Sequence, residues 1–188
     1  PLGAVLAGCL GTLLGAPTLK LRGDYLAIVT LGFGEIVRIL INNLGHPINI
    51  TNGAKGLGPI ASISFFGLDL GKRLSFGNYE IASVTLYYYL FLMLAAFAVT
   101  ICYRLQDSRI GRAWMAIRDD EIAAEAMGIN TRNMKLLAFA IGASFGGVAG
   151  VLFGAFQGFV SPEAFSLQES VLMVAMVVFG GIGHIPGV

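Results

Sequence analysis

Charge is scarce in this sequence: 12% of its 188 residues are Asp, Glu, Lys or Arg, and the net charge is +1. A balance so near neutral gives no footing to a nucleic-acid partner, which a strongly basic surface would announce. Cysteine is almost missing. Cys9 and Cys102 lie in apolar runs with no CxxC spacing and no nearby His, a pattern of small packing residues rather than of a metal site or a disulfide framework. His46 and His184 stand alone beside prolines, as turn or helix-end residues rather than ligands. No metal site is expected.

Catalytic signatures are missing as well. The Gly71-Lys72 pair has Phe66 where a phosphate loop needs its first glycine, and neither GGIGHIPG nor GLGPI completes a GxGxxG fingerprint. No nucleophile and base fall at a plausible spacing, so an enzyme is not expected. If the protein works against a gradient, its energy source lies elsewhere, and no cofactor is expected on this chain.

What is present in abundance is apolar sequence. Hydrophobic residues make up 56% of the chain, and the mean hydropathy is +0.78, far from the make-up of a water-soluble domain. Residues 1–19, 81–103, 136–162 and 170–188 contain no Asp, Glu, Lys or Arg. As a helix, 81–103 would reach about 34 Å, enough to cross a hydrocarbon core of roughly 30 Å. With a further span at 25–41, these runs predict an all-α polytopic membrane helix bundle with about five spanning segments. Residues 1–19 lack a basic leader and a small-residue cleavage site, so they read as a span rather than a signal peptide. The first residue is not Met and the last lies inside an apolar run. The expectation is a single transmembrane domain over 1–188, truncated at both ends.

Orientation follows from the positive charges. Half of the twelve basic residues, Arg104, Arg109, Arg112, Arg118, Arg132 and Lys135, fall in 104–135, which places that loop in the cytoplasm. Counting outward, GFVSPEAFSLQES, with two Glu and no Lys or Arg, is external. So is 42–80, although it holds Lys55, Lys72 and Arg73. Its Gly, Asn and Pro content reads as ordered loop and turns.

Two of the expected spans carry more than bulk. IGASFGGVAGVLFGAFQG places Gly142, Gly146, Gly150, Gly154 and Gly158 at a strict spacing of four. Each step drifts about 40° around a helix, so the glycines form a slowly winding groove that suits close helix packing or a sliding surface between helices. In YLAIVTLGFGEIVRILI, Glu35 and Arg38 share one helical face. Intramembrane charges are costly unless paired or facing a polar cavity. Thr30, Gly32, Gly34, Glu35 and Arg38 are therefore candidates for the lining of a translocation path suited to a small zwitterionic solute. The other reading is that Arg38, near the external end, snorkels with Glu35 as its partner.

The cytoplasmic stretch RAWMAIRDDEIAAEAMGINTR, residues 112–132, predicts a short helix over EIAAEAM. Asp119 or Asp120 supplies its N-cap, Glu121 sits in its first turn and Gly128 ends it. Ile122, Ala126 and Ile129 are expected on one side, with Ala123 and Ala124 offering close-approach surface on another. An amphipathic helix lying on the membrane surface is the alternative.

The segments LRGDYLAIVTLGFGEIVRILINN (21–43), GRAWMAIRDDEIAAEAMGIN (111–130) and FQGFVSPEAFSLQES (156–170) resemble the permease subunits of bacterial branched-chain amino acid ABC importers, of the LivM type. The resemblance runs in order over nearly the whole chain. It implies a multi-pass protein of the bacterial inner membrane that pairs with a second permease subunit as a heterodimer. It also implies two cytosolic ATPase subunits, which bind the ATP and Mg, and an external solute-binding protein. In ABC importers a cytoplasmic EAA-type loop, with a glycine six positions after its Glu, docks into the ATPase. Ala123, Ala124 and Gly128 fit that register, while Ile122 takes the acidic position and Glu121 is one residue early. The implied coupling residues are thus Arg112, Asp119, Asp120, Glu121, Ala123, Ala124 and Gly128. TNGAKGLGP is similar to the family's Gly-rich external loop, with Asn52 a departure. Related permeases carry urea, short amides or other amino acids. A stand-alone secondary transporter using Glu35 as a proton site is a rival from another class, but such a carrier has no need of a docking helix.

Overall fold

The computed structural model describes residues 1–19, 24–44, 52–65, 68–69, 71, 74–76 and 79–181. Their order is α1 (Leu2–Thr18), α2 (Asp24–Asn43), a 3-10 turn (Gly53–Lys55), strands β1 (Ser64–Phe65), β2 (Leu68–Asp69), β3 (Leu74–Phe76) and β4 (Tyr79–Ile81), and then α3 (Ser83–Gln106), α4 (Arg109–Asp119), α5 (Glu121–Ala126), α6 (Thr131–Gln157), a second 3-10 turn (Pro162–Phe165) and α7 (Leu167–Gly180).

The expected all-α membrane bundle is the architecture found. Among the described residues, Ser83–Gln106, Thr131–Gln157 and Pro162–Gly180 are long and apolar enough to cross a membrane, while Leu2–Thr18 is apolar but shorter. α2 has 20 residues, about 30 Å of helix, and carries the Glu35 and Arg38 charges. The expected last span, 170–188, begins too late. Ser166 caps α7 by accepting a hydrogen bond from Glu169 N at 3.4 Å, and Glu169 belongs to the first turn, where a carboxylate suits the positive end of the helix dipole. Residues 182–188 of that expected span lie outside the described residues. The segment expected as loop and turns holds two small antiparallel hairpins, β1 with β2 and β3 with β4, in register Phe65 to Leu68 and Phe76 to Tyr79.

Burial is sparse. Among the described hydrophobic residues, Tyr87, Ala124 and Ala155 are the buried ones, whereas Leu2, Leu13, Tyr88, Met93 and Phe179 stand out from the bundle. Water would not tolerate so much exposed apolar surface, which belongs against lipid or partner helices.

α1 and α6 form the closest pair. A side chain built at Gly3 would meet Val151, one at Gly8 would meet Ser144, one at Gly11 would meet Ala143 and one at Gly15 would meet the Phe139 ring. The rising α1 numbers meet falling α6 numbers, so the two helices are antiparallel, and glycine brings their backbones together without a hydrophobic driving force between them. On α6 the packing glycine is Gly147, which faces Ala7 and the Gly3 carbonyl. This corrects the expected stripe. Among the described residues, added side chains at Gly142, Gly146 and Gly150 would meet nothing within 4 Å, and Gly154 faces Val160 and Ile60. The cause is the drift of about 40° per four residues: the row starts on the side of α6 away from α1 and winds round toward it. Gly158, at φ +68°, ends the helix and has no packing role, its N–H bonding Gly154 O at 3.0 Å.

α3 runs beside α6 at one end. There the Tyr87 hydroxyl donates to Ala155 O at 3.4 Å, and the Tyr87 and Phe156 rings meet edge to face at 5.2 Å.

Candidate functional site

Two places gather polar chemistry against this apolar background, one on α2 and one between α3 and α6. The first is a cleft of about 620 Å³ bounded by α1, α2, α6, the Pro162–Phe165 turn and α7, a size that suits a small organic solute. Phe33, Val37, Ile41 and Phe139 make its walls oily, and among the described residues lining it Arg38 carries the charge.

Glu35 holds that arginine. Arg38 Nε donates to both carboxylate oxygens at 3.0 Å and Nη2 donates to Oε1 at 2.5 Å. The three-residue spacing puts both side chains on one face of α2, as the sequence predicted. In this chain the Arg38 and Glu35 side chains are 28% and 30% exposed. Glu163, in the second 3-10 turn, is a further carboxylate whose charge reaches Arg38. Of the other candidates, Thr30 and Gly34 also border the cleft, and Thr30 Oγ1 donates to Leu26 O at 2.9 Å. Gly32 and Glu35 are outside the lining, and Glu35 reaches the cleft edge through its bonds to Arg38. Side chains built at Gly32 and Gly34 would meet nothing within 4 Å, so no packing among the described residues requires glycine at either.

The end of this region next to the Gly-rich loop is built by a contact that the sequence did not signal. Leu57 and Val160 form an antiparallel bridge, N to O at 2.8 and 2.9 Å, and Ile60 N donates to Gly158 O at 2.8 Å. The Gly-rich loop thus lies directly on the loop after α6. Gly56 has φ +72°, and a side chain there would strike Val160 O and the Phe159 ring, so glycine is needed both for the turn and for the approach. Glycine content had signalled turns; it could not name the loop they pack on.

The second place is the corner between α3 and α6. Ser108 Oγ accepts from Gly111 N at 3.1 Å and caps α4. Gly111 is buried at the bend, where a side chain would collide with the carbonyl oxygens of Leu105 and Gln106. Arg112 Nη1 donates to Asp107 O at 2.8 Å, bracing that bend. Asp120, not Asp119, is the N-cap of α5, its Oδ1 accepting from Ile122 N at 2.8 Å and Ala123 N at 3.1 Å; Asp119 is the last residue of α4. At the other end Gly128 takes φ +84°. Ile129 N bonds Ala124 O at 3.1 Å and Gly128 N bonds Glu125 O at 2.9 Å, the paired closure of a Schellman end.

Two bonds tie this corner to the first turns of α6. Trp114 Nε1 donates to Met134 O at 2.8 Å, and Lys135 Nζ pairs with Glu121 Oε1 at 2.6 Å. Trp114 and Met134 carried no sequence signal for this. The expected contact surface needs one correction. Ala124 is 4% exposed, because α5 turns it inward, so it supports the corner and offers no surface to another chain. Ile122 and Met127 are 73% and 83% exposed, with Ala123 exposed beside them.

The sequence model for "Branched-chain amino acid transport system / permease component" matches residues 1–188. The chain belongs to this permease family. It is 44% identical to the high-affinity branched-chain amino acid transport system permease protein LivM of Escherichia coli, over 97% of the chain and 45% of that protein. The probable LivM of Methanocaldococcus jannaschii is 27% identical over the full chain and 51% of its own length. Escherichia coli LivH is 43% identical over 50% of the chain and 30% of its own length. The chain thus spans about half the length of the LivM relatives it matches. No solved structure matches it. As a permease-family chain with several membrane-length helices, it is a multi-pass membrane protein, and the cleft on α2 and the corner before α6 are its two candidate working parts.

Proposed function

We propose that the chain forms part of the translocation path of an ATP-driven importer for branched-chain, hydrophobic amino acids in the bacterial inner membrane. In this reading it belongs to one permease subunit, pairs with a second, LivH-like permease subunit, sits on two cytosolic ATPase subunits that bind ATP and Mg, and receives solute from an external binding protein. Thr30, Gly34, Glu35 and Arg38 border or support the path.

The observation that carries the reading is the corner between α3 and α6. ATP hydrolysis on a separate subunit must reach the spans as a mechanical push. α5 is capped at both ends and bonded to α6 through Glu121, while α4 just before it bonds α6 through Trp114, so a load on the corner passes into a helix long enough to cross the membrane. Ile122 and Met127 supply exposed apolar surface away from the spans, where a protein partner is the natural cover.

The test is reconstitution of the full-length permease pair with its ATPases and solute-loaded binding protein. Ile122→Asp is expected to insert and fold normally yet lose ATPase co-purification or solute-stimulated hydrolysis, because it sets a charge in an apolar contact. Wild-type assembly and coupling in that variant would remove the docking role and leave α5 as a membrane-surface helix.

A further inference from the structure

An ion pair at the edge of an oily cleft restricts what the cleft can accept. Arg38 spends Nε and Nη2 on Glu35, yet a guanidinium carries five N–H donors in a planar fork that matches a carboxylate. The pair is neutral in itself, with Glu163 a further carboxylate near Arg38, and in a low-dielectric span any added net charge is costly. An uncharged amide leaves the pair closed and sets its own polar atoms against Phe33, Val37 and Phe139. A simple carboxylate competes with Glu35 for the guanidinium and adds an unmatched negative charge. A zwitterion brings one charge of each sign, so the pair can open with no change in the net charge of the site.

We infer that the Glu35–Arg38 pair is a zwitterion-binding subsite. Arg38 exchanges the Glu35 carboxylate for that of an α-amino acid, Glu35 takes the ammonium, and the apolar side chain lies against the cleft walls. Gly34, which borders the cleft and has open space where a side chain would start, leaves the α2 backbone accessible beside the pair. The inference rests on the importer reading and adds to it which chemical groups are read and by which side chains.

Equilibrium binding of radiolabelled leucine to the full-length complex in nanodiscs, without the binding protein, tests it, since the external protein's own selectivity then plays no part. Leucinamide, which lacks the carboxylate, and 4-methylpentanoate, which lacks the ammonium, are each expected to compete about tenfold or more weakly than leucine, as a site built to bond a polar group rejects an analogue without it. Glu35→Gln is expected to bring 4-methylpentanoate close to parity with leucine, because the ammonium loses its partner and the site gains room for a net negative ligand. A pair that only holds the helix would weaken all three alike. Because Arg38→Gln alone strands a carboxylate, the neutral double variant Glu35→Gln/Arg38→Gln serves as the second arm. It should still elute with its partner subunits and lose leucine affinity by about tenfold or more. No leucine binding by the wild type, an unchanged ranking in Glu35→Gln, or unchanged affinity in the double variant overturns the subsite and leaves the importer reading standing. If the wild-type complex, supplied with its binding protein, takes up no branched-chain amino acid, the importer reading falls and the subsite with it.

Discussion

At the scale of single residues, the corner between α3 and α6 separates two kinds of position that lie side by side in the sequence. Ala123 is exposed and Ala124 is buried, so the same substitution has opposite meanings. Ala124→Trp is expected to disrupt the corner itself, at about 1–3 kcal/mol or more for overpacking, seen as a lower melting temperature of the purified permease. Ala123→Trp should leave melting unchanged and act on ATPase binding alone. Equal melting of the two variants would contradict the burial assigned to Ala124. Gly128→Val forces a β-branched residue into φ +84°, and about 1–2 kcal/mol is the expected loss, again read by thermal melting. The Asp120 cap and the Gly128 stop were legible from the sequence because both are local hydrogen-bonding events within a few residues. The inward turn of Ala124 was not, since it depends on how α4, α5 and α6 pack together at the corner.

At the scale of elements, the α1 and α6 pair shows how a periodic pattern can be correct in chemistry and mistaken in direction. Glycine at every fourth position promised a close approach, and a close approach exists, but it is made by Gly3, Gly8, Gly11 and Gly15 against the Gly147 side of α6. Gly147→Leu is therefore expected to push α1 from α6 at about 1–3 kcal/mol, measured as a fall in melting temperature. Gly146→Leu, one residue away, should leave melting near wild type, because its added side chain enters open space. Equal destabilisation by both would place the contact on the wrong face. The α2 pair behaves differently: its i,i+3 spacing decides the contact from within the helix, so the Glu35 and Arg38 bond could be read before any fold was known. That Arg38 borders a cleft is a matter of where α1, α6 and α7 lie.

At the scale of the whole molecule, direction through the membrane is consistent along the described chain. α1 is antiparallel to α6, Tyr87 at the start of α3 meets Ala155 near the end of α6, and Trp114 meets Met134 near its beginning. The positive-inside rule, applied to the basic residues of 104–135, sets the expectation that the Gly-rich loop and Val160 lie outside. A cysteine introduced at Ser161 should accept a membrane-impermeant label in intact cells, and one at Arg118 should accept it only after permeabilisation. The opposite accessibility would invert the orientation.

Composition and order along the chain were enough to determine the membrane class, the all-helical character of the spans and the family, because hydropathy, capping and motif order are all carried by neighbours in sequence. Tertiary structure alone decided which glycines of α6 meet α1, that the Gly56 loop rests on Val160, that Ala124 is hidden while Ile122 and Met127 are not, and that Arg38 edges a cleft. Each of these depends on the rotation of one element against another distant in sequence. An apolar helix surrounded by lipid leaves that rotation almost undetermined by hydrophobicity, because lipid and protein interior are equally oily. It is set instead by steric fit and by a few polar bonds.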